Sequence, residues 1–174
     1  MEFIYIAIAL ILVFSGYKFI IYPSIITKNI NQLLEKYKDK YNIEKGIKKS
    51  YDYILEDDKK IIPLKFISVP RNSQITINNI STWKLQWGGD GAKPGRSYPN
   101  ERYLHEVIPF IKQNHQSEKK IVKIIILYPR TEKILRYLNE SELDIITPEK
   151  TPYGYKVTTY TNFDEDFDTL ININ

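Results

Sequence analysis

Between two apolar runs lies the stretch of this 174-residue chain whose residue types could best do chemistry. It reads Gly88-Gly89-Asp90-Gly91-Ala92-Lys93-Pro94-Gly95-Arg96 and holds four of the chain's seven glycines. Glycine backbone can approach a phosphate closely, and Lys93, Arg96 and Arg102 would supply charge around it. A helix capped by Asn100 would add the positive end of its dipole. The pattern predicts a ligand loop built from Gly88, Gly89, Asp90, Gly91, Lys93, Arg96 and Arg102, for a nucleotide or nucleic acid. Neither GxxxxGK[ST] nor GxGxxG occurs in it, and a flexible connector accounts for the glycines equally well.

Aromatic residues flank that loop. Trp83 and Trp87 share one face of an alternating run with Leu85, and Tyr98 and Tyr103 follow close by. Such a set can stack bases or form an interaction surface, while two Trp on one strand face also read as core. Gly88-Gly89-Asp90-Gly91 resembles the GGDG string of lipid and NAD kinases over those four residues. Ala92 replaces their Thr and the chain is too short for their fold, so no kinase residue is carried over.

Other constellations are incomplete. His105-Glu106 begins like HExxH, but Pro109 stands where the second zinc-binding His is required. His115 is too far along to share a metal with His105. A Glu-x-Lys nuclease strand is missing, because Glu118-Lys119-Lys120 precedes the apolar strand instead of lying in it. Phe163 and Phe167 alternate with Asp164, Glu165, Asp166 and Asp168, without the glycine of a calcium loop. Zero cysteines exclude disulfides, thiolate zinc sites, iron–sulfur clusters and a cysteine nucleophile. No catalytic residue, metal or cofactor is assigned, and the reading leans away from an enzyme.

The elements that must position these residues read as follows. Ile61 to Val69 predicts a strand, and Ile75 to Trp87 a second one with Ile75, Ile77, Trp83, Leu85 and Trp87 on one face. Asn100 to about His115 predicts a helix kinked or split at Pro109. Ile121 to Tyr128 is almost continuously apolar and predicts a central strand covered on both faces. Thr131 to Asn139 predicts a short helix and Leu143 to Ile146 a short strand, which together permit a right-handed crossover. Pro148, Pro152 and Gly154 predict a turn, Tyr155 to Tyr160 a strand, and Asp164 to Ile171 a last helical turn. Asn79-Ile80-Ser81 and Asn139-Glu140-Ser141 match the glycosylation pattern, which has no bearing on a cytoplasmic domain.

The N-terminal run decides the placement of the whole. Phe3 to Tyr22 carries one charge, Lys18, over twenty residues. At ~1.5 Å per residue this reaches about 30 Å, the thickness of a hydrocarbon core. No basic segment precedes it and no small-x-small cleavage pattern follows, so it reads as an uncleaved anchor. From Ser24, a predicted N-cap, Ile26, Ile30, Leu33, Leu34, Tyr37 and Tyr41 recur at helical spacing, and Ile47, Tyr51, Ile54 and Leu55 resume it. Lys28 to Lys49 holds seven Lys against three acids, a local +4 equal to the net charge of the chain. Lys after the span and none before it puts the C-terminal part in the cytoplasm.

The expected architecture is therefore α/β or α+β: a small mixed sheet with flanking helices, preceded by one transmembrane helix and a helical stalk. Residues 1–23 are the transmembrane anchor, 24–60 the juxtamembrane stalk and 61–174 a small cytoplasmic domain. The expected function is that of a single-pass cell-membrane protein whose domain is a protein-interaction module or a subunit of a membrane assembly. Its partners would be the lipid bilayer and another membrane or cytoplasmic protein, with a homo-oligomer through the stalk as a further arrangement. The alternative is a membrane-tethered nucleotide or nucleic-acid module using residues 88–96 and Arg102. A net charge of only +4 is poor support for nucleic acid.

Overall fold

Five consecutive buried residues, Ile124-Ile125-Ile126-Leu127-Tyr128, form an interior strand of the larger of two sheets. The computed structural model describes residues 2–46, 50–89, 98–114 and 117–172. The chain divides into two units, Met1–Tyr41 and Asn42–Asn174.

The first unit is helical. α1 (Glu2–Gly16) gives way to a π-helical turn (Tyr17–Ile21), where the Tyr22 N–H bonds back to the Tyr17 carbonyl, and α2 (Tyr22–Glu35) follows. Among the described residues no helix is long and apolar enough to cross a membrane. The expected single α-helical span from Phe3 to Tyr22 is thus interrupted, because wider π bonding replaces the α ladder after Gly16. Ser24 is not an N-cap: its hydroxyl donates to the Ile20 carbonyl at 2.9 Å, inside the helical path. Ile30, Leu33 and Leu34, spaced three and four apart, are the buried stripe of α2.

The second unit is a mixed α/β structure with two small mixed sheets. The larger sheet has the order β1 (Asn42–Lys45), β2 (Tyr53–Glu56), β3 (Lys60–Ser68), β8 (Ile124–Tyr128), β11 (Lys156–Thr159), with β7 (Lys120–Ile121) also beside β3. The smaller has the order β10 (Glu142–Ile145), β9 (Lys133–Asn139), β4 (Ser73–Asn79), β5 (Thr82–Trp87), β6 (Asn100–Tyr103). Ile67, Ile125, Leu127 and Val157 of the larger sheet share one core with Ile75, Ile77, Trp83 and Leu85 of the smaller. Val107, Phe110 and Ile111 of α3 (Val107–Lys112) join that core. α4 (Phe163–Ile171) buries Phe163, Phe167, Leu170 and Ile171, and its Asp166 carboxylate accepts from the Thr158 hydroxyl of β11.

Several expected helices are strands. Asn42–Lys45 and Tyr53–Glu56 of the expected stalk form β1 and β2, paired antiparallel, because Tyr53 and Leu55 alternate inward against Leu64 and Ile62; Ile47 lies outside the described residues. Asn100 starts β6 instead of a helix: it pairs with Trp87, and the helix is confined to the six residues of α3, with Pro109 inside it. The segment from Thr131 to Asn139 contains β9, so the expected crossover helix does not exist. Ile134, Leu135 and Leu138 have helical spacing, but backbone pairing with β4 and β10 prevails over that local pattern. Ile75 to Trp87 is a hairpin, β4–β5, whose antiparallel pairing keeps the expected five-residue face together.

An internal repeat organises both sheets. β3–β4–β5 and β8–β9–β10 each place one strand in the larger sheet, turn a corner, and form a hairpin in the smaller. The copies lie side by side, β3 parallel to β8 and β4 parallel to β9. Pro70-Arg71 and Pro129-Arg130 mark the corners. In the hairpin turns, Asn79 Oδ1 accepts from the Ser81 N–H at 2.8 Å, and Asn139 Oδ1 from the Ser141 N–H at 3.0 Å. The two Asn-x-Ser sequences are Asx turns, a role asparagine fills by bonding its own backbone two residues on.

The copies are out of step by one residue. Leu64 pairs with Ile124 and Ser68 with Tyr128, an offset of 60, whereas Gln74 pairs with Lys133 and Ile77 with Arg136, an offset of 59. Val69 lengthens the first corner, and β9 carries one extra residue before its turn. A slip of one residue turns every side chain to the other face of a strand. In the first hairpin Ile77 and Trp83 pair and point into the core. The corresponding pair in the second, Tyr137 and Leu143, is exposed, and the polar pair Arg136 and Asp144 takes the inward register.

Candidate functional site

Asp90, Gly91, Lys93 and Arg96 lie outside the described residues. Of the rest of that predicted set, Gly88 has a local structural reason. Its φ is +84°, and a Cβ there would sit 2.8 Å from the Asn100 amide nitrogen, so glycine suits the tight exit of β5 beside β6. Gly89 lies against the Tyr98 ring. Arg102 pairs its Nη1 with Glu106 Oε1 at 2.9 Å on the surface, and Lys84 Nζ meets Glu101 Oε2 at 2.7 Å. Arg102 is therefore paired within the chain.

The predicted aromatic surface separates into different environments. Trp83 is 1% exposed and belongs to the core between the sheets. Trp87 is half-buried against that core. Tyr98 is half-buried with its hydroxyl 3.4 Å from Gln74 Oε1, and Tyr103 is exposed. His105 is exposed, with its ring 6.1 Å from that of Tyr103. Among the described residues no three His, Asp or Glu side chains gather to hold a metal.

Two lysines are withdrawn from water. Lys156 is 2% exposed, and its ammonium donates to the Pro148 and Glu149 carbonyls at 2.8 Å each. Lys123 donates to the Ile111 carbonyl at 2.6 Å and to that of Gln113. Burial lowers the pKa of both amines. Each donates to two backbone carbonyls, so they act as pins, Lys123 on the end of α3 and Lys156 on the 148–149 loop.

The slipped register builds a cluster that the sequence pattern did not reveal. Arg136 of β9 faces inward, and Ile77 stands between it and Trp83 in one row across the smaller sheet. From the opposite side comes Tyr155, which is 1% exposed, with its ring 5.3 Å from that of Trp83. Tyr153 completes the group: its ring is 6.3 Å from Tyr155, the Arg136 guanidinium lies 5.1 Å from its centre, and its hydroxyl donates to the Asn78 carbonyl at 3.3 Å. Of the polar atoms buried here, Arg136 Nε has no hydrogen-bond partner among the described residues, while the Trp83 indole N–H acts on the Tyr155 phenol and lowers its pKa against the larger rise from burial. Burial, followed by the neighbouring Tyr153, holds the Tyr155 phenol far above its ordinary pKa, so it remains a neutral donor. Native proteins pair nearly all buried polar atoms, and the buried Arg136 Nε stands out against that rule.

The backbone at this cluster is also unusual. Tyr153 has φ +54° and Gly154 φ +83° in the turn before β11. Glycine adopts that conformation readily, whereas for a bulky aromatic it is strained. No protein-family model, curated protein or solved structure matches the chain. The signal available in the sequence was the recurrence of Pro-Arg and Asn-x-Ser about 60 residues apart, since internal repeats reveal the pairing of strands.

Proposed function

We propose that this chain is a single-pass membrane protein whose Asn42–Asn174 unit is an interaction module on the cytoplasmic side. The observation that carries the reading is the bare apolar surface of the first unit. Ile4, Leu10, Val13, Phe14, Phe19 and Ile20 are each 62–71% exposed. Water does not sustain such a surface, and a helix apolar on several sides calls for lipid or protein around it. Although no single helix among the described residues reaches spanning length, Gly16, Ile21 and Tyr22 all keep right-handed helical dihedrals, which favours one continuous path through the π turn. Lys28, Lys36, Lys38 and Lys40 follow it, the flank expected on the cytoplasmic face.

The interaction part of the reading is supported by the outer face of the second hairpin, where Tyr137, Leu143 and Ile145 are 37–58% exposed. The partner would be another membrane or cytoplasmic protein. The membrane reading predicts that the full chain stays in the membrane pellet after an alkaline carbonate wash, and that Leu10→Arg with Phe14→Arg releases it. Release of the unaltered chain by carbonate would overturn the anchor. Digestion of the Asn42–Asn174 unit by protease outside intact cells would overturn the orientation.

A further inference from the structure

We propose that α2 carries a binding groove for the headgroup of an ethanolamine phospholipid, just outside the apolar span. The inference rests on the membrane reading above and names the lipid class that the anchored chain would hold. A groove of about 760 Å³ begins at Pro23 and is lined beyond it by Ser24, Thr27, Lys28, Asn31, Gln32 and Glu35. That volume is of the size that holds a small molecule. All of these residues are exposed. With 3.6 residues per turn, Ser24, Lys28, Asn31 and Glu35 fall within about 60° of one another around the helix. The buried stripe of Ile30, Leu33 and Leu34 is turned away from them.

The groove starts where the bilayer surface would lie. The rings of Tyr17 and Tyr22, 6.5 Å apart, close the apolar run, and aromatic residues favour the headgroup level. Pro23 follows directly.

The chemistry along the groove alternates in sign. Ser24 and Thr27 donate their hydroxyl protons to the Ile20 and Pro23 carbonyls, at 2.9 and 3.0 Å. Their oxygens therefore meet a ligand only as acceptors. Lys28 makes no hydrogen bond or ion pair among the described residues, so its three N–H donors are open. Glu35 spends Oε2 on Lys38 at 2.5 Å, leaving Oε1 as an acceptor. One free cation with acceptors on both sides of it calls for a ligand that joins an anion to a donating cation. The phosphate of an ethanolamine headgroup fits Lys28, and its ammonium fits the hydroxyl and carboxylate oxygens. A choline headgroup has the same charges but no N–H to donate. A glycerol headgroup can donate but offers Glu35 no positive charge.

The test loads the full chain from vesicles holding equal amounts of phosphatidylcholine, phosphatidylethanolamine and phosphatidylglycerol. The chain is then taken into mild detergent and weighed with its bound lipid by native mass spectrometry. Retention of phosphatidylethanolamine above both others is the expected result. Lys28→Gln should lower that retention about fivefold, the contribution of one lysine near a headgroup. Ser24→Ala with Thr27→Val, and separately Glu35→Gln, should reduce the preference for ethanolamine over choline. Lys45→Gln, outside the groove, should leave retention unchanged. Equal retention of the three lipids, or unchanged retention in Lys28→Gln, overturns the groove. A preference for phosphatidylglycerol overturns the headgroup class and leaves a general basic flank. A chain that resists carbonate yet carries no phosphatidylethanolamine overturns this site alone. Release of the chain by carbonate overturns the anchor, and the site falls with it.

Discussion

The two hairpins of the smaller sheet share a turn and differ in everything that faces outward. β4–β5 and β9–β10 each close with an asparagine bonded to the amide of a serine two residues on, and each has one bulged residue before that turn. In β4–β5 the register sends Ile75, Ile77, Trp83 and Leu85 into the core. In β9–β10 a slip of one residue leaves Leu143 and Ile145 exposed and brings Arg136 inside. Turn chemistry sets the local pairing of a hairpin, but its face is set by how it docks on its neighbour. One slip thus accounts for both the exposed apolar strip and the inward arginine.

The sharpest way to break this comparison is to truncate the same position in both copies. Trp83→Ala should cost about 3–5 kcal/mol, because it empties a fully buried site. Leu143→Ala, its counterpart, is 52% exposed and should cost about 0.5 kcal/mol or less. Urea unfolding of the two variants measures both values. Equal costs would mean that the second hairpin buries the same face as the first, and the slip would be wrong.

The shared turn gives a smaller and opposite expectation. Asn79→Ala and Asn139→Ala each remove one hydrogen bond to a serine amide and should each cost about 0.5–1.5 kcal/mol. The two losses should be alike and additive in the double variant, since the turns act independently. A clear inequality would show that one turn is held by its docking instead of its asparagine.

A third turn tests the role of charge. Asp57, between β2 and β3, accepts from the Lys59 and Lys60 amides at 2.7 and 2.6 Å. Burial pushes its pKa up, but those amides and the Lys60 and Lys119 charges outweigh it and hold the carboxyl below its ordinary value of 3.8. A lowered acid pKa stabilises the fold fully above that ordinary value, and the contribution is lost as pH falls through the folded pKa. Thermal melts of the native chain should therefore fall below about pH 4 by more than those of Asp57→Asn. The neutral turns at Asn79 and Asn139 contribute no such slope. Parallel melting curves for the two chains would remove Asp57 as the source.

What could be read from the sequence follows from how local each signal is. Ile121 to Tyr128 announces a central strand because an unbroken apolar run must be covered on both faces, and Ile124 to Leu127 are fully buried. The alternation of Ile75, Ile77, Trp83 and Leu85 fixes a common face wherever the chain reverses between them. By contrast, Ile134, Leu135 and Leu138 sit at helical spacing, and only pairing with β4 and β10 makes that segment a strand. Asn100 looks like a cap, yet its partner is Trp87 across a strand pair. The Trp83–Arg136–Tyr153–Tyr155 cluster draws on β5, β9 and the turn before β11, so no window of sequence contains it.

The sequence by itself determined that Phe3 to Tyr22 carries a single charge over twenty residues, that cysteine chemistry is excluded, and where the strongest strands run. Those properties depend on composition and short-range periodicity, which each residue carries wherever the chain goes. Tertiary structure alone decided that the strands form two copies side by side, that they differ by one residue in register, and that Arg136 therefore faces Trp83's side of the sheet. Register depends on the partner strand, and a shift of 3.3–3.4 Å along it, about one residue, exchanges the inside of a sheet for its outside.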